Sequence, residues 1–187
     1  MFNSASALGG GVSEDRAREI AEELTLEAQV SGHGGWVSSD LALLAPASAV
    51  DLYNASPDSN EIRISFAAVD ATDFCSICLQ LLDGDGEVFV GVYSGHSVQF
   101  GLPGGERVEG LDNVPLITNL TPSIPVRGHV HVSRSVQGYL VTSWLFDSDR
   151  LTVGFFDAPS LSNCSGVRII CNGALFVGGT ADMKWKK

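Results

Sequence analysis

His129 and His131 come nearest, by type and spacing, to a reactive site in this chain. On an extended strand, residues i and i+2 point the same way, so both imidazoles could meet one ion. A zinc site needs a third and usually a fourth ligand. Val132 to Tyr139 contain no Asp, Glu or His, so no further ligand follows closely. The two histidines also alternate with Val130 and Val132 and are flanked by Arg127 and Ser133. That is the pattern of the polar side of a half-buried strand.

Other groupings are equally incomplete. Asp83-Gly84-Asp85-Gly86-Glu87 alternates carboxylates with glycine, as a calcium loop does. It lacks the flanking helices and terminal glutamate of an EF-hand, and a tight hairpin turn explains its glycines better. Cys75, Cys78, Cys164 and Cys171 could supply four thiolates. Yet Phe74 to Leu82 reads as one continuous strand, and a zinc knuckle must turn between its cysteines. Buried free thiols are the expectation, and a Cys164–Cys171 bridge would require an oxidising compartment. Ser94-Gly95-His96 lacks the G-x-S-x-G elbow, and the glycine-rich Gly101 to Gly110 lacks the lysine of a phosphate loop. The glutamate that follows HxH in cupins is missing. His131-Val-Ser133 has no second copy, because His96 is followed by Ser97 and Val98. The expectation is therefore no catalytic residue, no cofactor and no metal, with His129 and His131 as weak metal candidates.

Composition narrows the class. The chain has 187 residues, 44% hydrophobic and 18% charged, with a net charge of −11. Its charged share lies below the roughly 25% of average soluble domains. The only lysines are Lys184, Lys186 and Lys187. Lysine is depleted at surfaces buried against partners, so self-association or contact with shell neighbours is expected. The acidity opposes nucleic-acid binding, which needs clustered cations. Lys184-Trp185-Lys186-Lys187 is a small basic patch that reads as a solvated tail. No run approaches the ~18 apolar residues of a membrane span. Met1 to Ser4 show no secretory signal, which favours an intracellular or virion-associated setting and makes the sequons at Asn54, Asn119 and Asn163 incidental.

The elements that would position these residues fall into three parts. Residues 1–12 read as a flexible arm. Residues 13–31 read as a helix, with Ser13 as N-cap and Ala17, Ile20, Ala21, Leu24 and Ala28 along one thin stripe. Residues 36–187 read as a β domain. Strands are expected over 36–44, 61–69, 74–82, 87–93, 97–102, 114–118, 126–133, 137–146, 150–156, 166–171 and 174–178. Residues 45–60 and 103–113 read as loops. Asp83 to Gly86, Asp147 to Asp149 and Asn172-Gly173 read as hairpin turns. The expected core includes Ile62, Ile64, Phe66, Ile77, Leu79, Val88, Val90, Val130, Val132, Leu140, Phe155 and Ile169. The fold class is all-β, an antiparallel, jelly-roll-like β-sandwich with one N-terminal helix.

The leading functional expectation is a non-enzymatic assembly domain, of viral capsid type or a protruding shell domain, argued by architecture alone. Ile20 and Leu24 would contribute to contacts between chains. Sheet edges without lysine would be covered by neighbours. The alternative is a lectin-like module, in which Trp36, Tyr53, Tyr93, Tyr139, Trp144 or Trp185 stacks on a sugar and surface loops meet a glycan or receptor. A third reading is a metal-dependent β-sandwich enzyme using His129 and His131. Because neither metal-like motif is complete, elemental analysis of purified protein should find no stoichiometric zinc or calcium. About one ion per chain, lost in His129→Ala and His131→Ala, would establish a metal centre.

Overall fold

The computed structural model describes residues 35–43, 46–53, 59–91, 93–100, 106–109, 112–147 and 151–187. The expected arm and helix, with Ile20 and Leu24, lie outside them. The β unit runs from Val37 to Lys187. Its strands are β1 (Val37–Leu43), β2 (Ala49–Tyr53), β3 (Glu61–Ala71), β4 (Cys75–Leu82), β5 (Ser94–Phe100), β6 (Glu106–Glu109), β7 (Val114–Leu120), β8 (Val126–Ser135), β9 (Gly138–Phe146), β10 (Leu151–Ala158), β11 (Gly166–Asn172) and β12 (Phe176–Lys186). The described residues are all-β, in two antiparallel sheets. The large sheet has the order β1-β12-β3-β8-β9-β10-β5-β6, and the small sheet β2-β11-β4-β7.

The pairings are nested. β1 pairs with β12, β2 with β11, β3 with β8 and β4 with β7. The early strands thus run outward against the late strands running back, and each pair alternates between sheets. β12 then closes on β3, and β11 on β4. β9 and β10 are inserted between β8 and β11, and β5 and β6 between β4 and β7. All four extend the large sheet beyond β8.

Period-two alternation drives this arrangement. Ile62, Ile64 and Phe66 on β3 and Val130 and Val132 on β8 join one buried cluster with Ile77 and Leu79 on β4 and Ile169 on β11. Their partners Arg63, Ser65, Arg127 and His129 face outward. β12 is longer than expected. The segment that reads as a basic tail is its last part, where Ala181, Met183 and Trp185 are buried between outward Asp182, Lys184 and Lys186.

Four core assignments change. Val141 is buried rather than Leu140, and Phe156 rather than Phe155, which is 49% exposed. Both strands carry large apolar residues on both parities, so alternation alone does not select a face. Val88 is half-buried and Val90 fully exposed, because 87–93 is not a strand. It contributes one bridge, Leu82 to Val88. The short β2 and β6 lie within the stretches expected to be loops.

The turns behave individually. Asp83 Oδ1 accepts the N–H groups of Asp85 and Glu87, each at 3.0 Å, and Gly86 takes the left-handed φ of +84° that the turn requires. Engagement of this carboxylate oxygen by the backbone gives the acidic cluster a structural role. β9 and β10 form the expected hairpin. Asn172-Gly173 also turns, with Gly173 at φ +100°, but it carries the chain from the small sheet to the large one, so β11 and β12 do not pair.

One side chain substitutes for a missing strand. Past the end of β7, the Leu81 N–H donates to the hydroxyl oxygen of buried Tyr93 at 2.7 Å, and Leu81 C=O accepts from Phe89 N–H at 2.9 Å. Phe89 and Tyr93 meet edge to face with ring centroids 5.6 Å apart. Tyr93→Phe leaves a buried backbone donor without its acceptor. Urea denaturation should show a loss of about 1–3 kcal/mol with an unchanged m-value. A variant as stable as the parent would mean that this hydrogen bond contributes nothing net.

Candidate functional site

The outward side of the large sheet carries the densest chemistry. Cross-strand partners in an antiparallel sheet project to one side. Arg63 lies opposite His131, which lies opposite Thr142. In the adjacent row, Ser65 lies opposite His129, which lies opposite Trp144. These six side chains from β3, β8 and β9 line an open depression of about 470 Å³. Gly128, beside it, has φ +138°, and a Cβ there would meet the Trp144 carbonyl oxygen at 2.1 Å. Glycine therefore permits the close approach of β8 to β9 under Trp144.

Charge on this side departs from that of the whole chain. β12, β3 and β8 present Arg63, Arg127, Lys184 and Lys186 outward against Glu61, Asp70 and Asp182. Four cations less three carboxylates give +1, where the chain as a whole carries −11. Glu61 is shared, with Oε2 at 3.4 Å from His131 Nε2 and Oε1 at 3.6 Å from Lys186 Nζ. Thr142 Oγ1 donates to the His131 carbonyl at 3.4 Å.

The structure thus brings His129 and His131 to one side, pointing away from the core, and adds Arg63, Ser65, Thr142 and Trp144. Alternation in β3 and β8 signals that Arg63, Ser65, His129 and His131 face outward, but β9 is apolar on both parities and gives no such signal for Thr142 and Trp144. Only register places them together, and register is not legible in one strand. Among the described residues, no three His, Cys, Asp or Glu side chains gather where they could hold a metal. Ser94 lies opposite Asp157, and His96 opposite Phe155; no hydrogen bond joins Ser94 to His96. Of the candidate stacking aromatics, Tyr93, Tyr139 and Trp185 are buried, Trp36 is half-buried, and Tyr53 and Trp144 are exposed.

On the outward side of the small sheet, Arg168 grips Asp51 bidentately, with Nε–Oδ1 at 2.6 Å and Nη2–Oδ2 at 2.8 Å. The hydrogen bonding from Arg168 holds the Asp51 carboxyl below its usual range. With both partners partly in water, this pair ties β2 to β11 and contributes roughly 0.2–1 kcal/mol.

The Cys164–Cys171 bridge, the alternative for an oxidising compartment, is not formed. Cys171 Sγ lies 3.3 Å from Cys75 Sγ, while Cys164 Sγ contacts the Gly166 carbonyl at 3.3 Å. All four are buried free thiols. No known protein family matches this chain, and no curated protein shows significant similarity to it.

Burial raises the Cys75 and Cys164 thiols to about 12 and Cys78 to about 11, and pushes Cys171 upward too. Raised thiol values favour the folded state below the unfolded pKa. That contribution is lost as pH climbs from about 9 toward the folded values. At about pH 8, iodoacetamide should label native protein far more slowly than urea-unfolded protein. Refolding with oxidised glutathione, which accepts the two electrons and two protons released and leaves as two reduced glutathione thiols, should yield a Cys75–Cys171 crosslink on peptide mapping. A Cys164–Cys171 crosslink would contradict the observed pairing.

Proposed function

We propose that this chain is a jelly-roll β-sandwich that works by assembly, as a capsid-type or protruding shell domain without catalytic chemistry of its own. The nested pairings support the fold. With the four inserted strands set aside, the remaining eight lie in the order first-eighth-third-sixth and second-seventh-fourth-fifth, as in two interlocked Greek keys. Such rolls occur in viral capsids and lectins, so assembly needs a separate observation.

That observation is an apolar outward side on the inserted strands. Facing the core on β5, β9 and β10, the buried polar Ser97, Gln99, Ser143 and Thr152 stand among the buried apolar Tyr139, Val141, Leu145 and Phe156. Facing outward are Phe100, Phe146, Leu151 and Phe155, between 36% and 53% exposed. Phe146, Leu151 and Phe100 are aligned across three strands. A contiguous apolar stripe is an unfavourable free surface and a favourable contact. A second copy of the chain is its natural occupant, since stacked sheet faces bury such side chains efficiently.

The edges are less available than the scarcity of lysine suggests. β7 carries Pro115, which interrupts ladder pairing. β2 is five residues long, and β6 is Glu-Arg-Val-Glu. These features favour the face of β5, β9 and β10 over the edges of β2, β6 and β7 as the contact. The acidity favours an outward-facing domain or a shell with little contact with packaged nucleic acid.

A second reading, a carbohydrate-binding module, is supported by the depression floored by exposed Trp144. The assembly reading predicts a mass above that of one chain in light scattering at tens of micromolar. Phe146→Ser with Phe155→Ser should shift that mass toward the monomer without changing the circular dichroism spectrum. Deletion of residues 1–30 should weaken assembly further while the β domain stays folded. A monomeric parent protein, unchanged by either alteration, would overturn it.

A further inference from the structure

We infer that the depression over β3, β8 and β9 binds a carboxylated sugar, such as a terminal nonulosonic or hexuronic acid. The inference rests on the carbohydrate reading above and names its ligand class. The volume of about 470 Å³ falls in the ~300–1,000 Å³ range of ligand sites, though one side stays open. That suits a single terminal residue. Trp144 supplies the flat apolar surface on which the C–H side of a sugar ring packs. Ser65, Thr142 and His129 border it with the hydroxyl and imidazole groups that sugar hydroxyls require.

Charge selects an acid over a neutral sugar. Arg63 lines the depression, and a guanidinium carries five N–H donors. Its planar fork matches a carboxylate. Arg127 and Lys184 lie one register step from the lining residues, on β8 and beside Arg63 on β12. Two carboxylates border it, Glu61 between His131 and Lys186 and Asp182 opposite Ser65, and Arg63, Arg127 and Lys184 outnumber them. A locally cationic hollow on a chain of net charge −11 is not what average composition produces. The lining side chains stand on three paired strands, so their spacing is set before a ligand arrives.

The test uses the full chain at low ionic strength, with ligand-observed saturation-transfer and titration NMR. The probes are the methyl glycosides of N-acetylneuraminic acid, glucuronic acid and galactose. An open site for one sugar ring implies millimolar affinity. The two acids should bind at least about tenfold more tightly than the galactoside. Trp144→Ala should weaken all binding at least about tenfold with an unchanged circular dichroism spectrum. Arg63→Gln should erase the preference for acids while keeping residual binding on Trp144. If the galactoside binds as well as the acids, the carboxylate inference falls and the carbohydrate reading stands. If no glycoside binds at about 20 mM, both fall. Light scattering on the same samples decides assembly independently.

Discussion

The structure depends on the pairing of β3 with β8 and β12. These three strands have the clearest period-two alternation in the chain, and they are neighbours at the centre of the large sheet. Burying Ile62, Ile64, Val130, Val132, Ala181, Met183 and Trp185 on one side forces Arg63, Ser65, His129, His131, Asp182 and Lys184 to the other. A one-residue slip in any of them would expose its apolar set. The hydrophobic term therefore fixes the register, and the register assembles the outward depression as a consequence. Removing water from the core and placing the candidate ligand groups are two results of the same constraint.

Much of this was legible because it is local. Alternation in 61–69 and 126–133 identified two central strands and their buried residues. Asp83 to Gly86 identified a turn from its glycines. What was not legible is non-local. Asn172-Gly173 has the chemistry of a hairpin turn, yet the strands it joins belong to different sheets. A two-residue signal reports a change of direction and not the partner that follows. β2 was missed because Ala49 to Tyr53 is short and lies in a stretch rich in Ser, Pro and Asn. β12 was cut short because its charges read as a tail, although Ala-Asp-Met-Lys-Trp-Lys alternates as regularly as β3.

The candidate site divides the same way. His129 and His131 stood out as a pair, and their shared direction follows from strand geometry alone. Arg63 and Ser65 are equally visible as outward residues of β3, whereas Thr142 and Trp144 share the parity of Leu140, expected in the core, and only cross-strand pairing makes the four neighbours. For the aromatics, burial decides. Tyr139 donates its hydroxyl to the Ser59 carbonyl at 3.0 Å inside the core, and Tyr93 accepts from Leu81. Both are structural, which leaves Trp144 and Tyr53 to meet a ligand.

The inserted strands raise a different question, because they violate the rule that organises the rest. The small sheet has four strands against eight, and β7 is its strand in main contact with β5, β9 and β10. Under that limited cover the inward positions Ser97, Gln99, Ser143, Thr152 and Gly154 stand beside the buried apolar Tyr139, Val141, Leu145 and Phe156, and a Cβ on Gly154 would come within 2.5 Å of Ser143 Oγ. At Gly154 the layer requires close approach. Gln99 donates to Thr118 of β7 at 2.5 Å, whereas Ser97 Oγ, Ser143 Oγ and Thr152 Oγ1 have no protein partner. These three hydroxyls add no hydrophobic stabilisation, since hydroxyls without partners cost free energy when buried. The apolar residues that could have supplied it, Phe100, Leu151 and Phe155, face the other way. β9 and β10 reach the buried cluster through Tyr139, Val141, Leu145 and Phe156, whereas β5 places only Ser97 and Gln99 among fully buried side chains. A partner seated on the outward stripe would add further apolar burial to the same strands, so folding of this extension and association would reinforce each other.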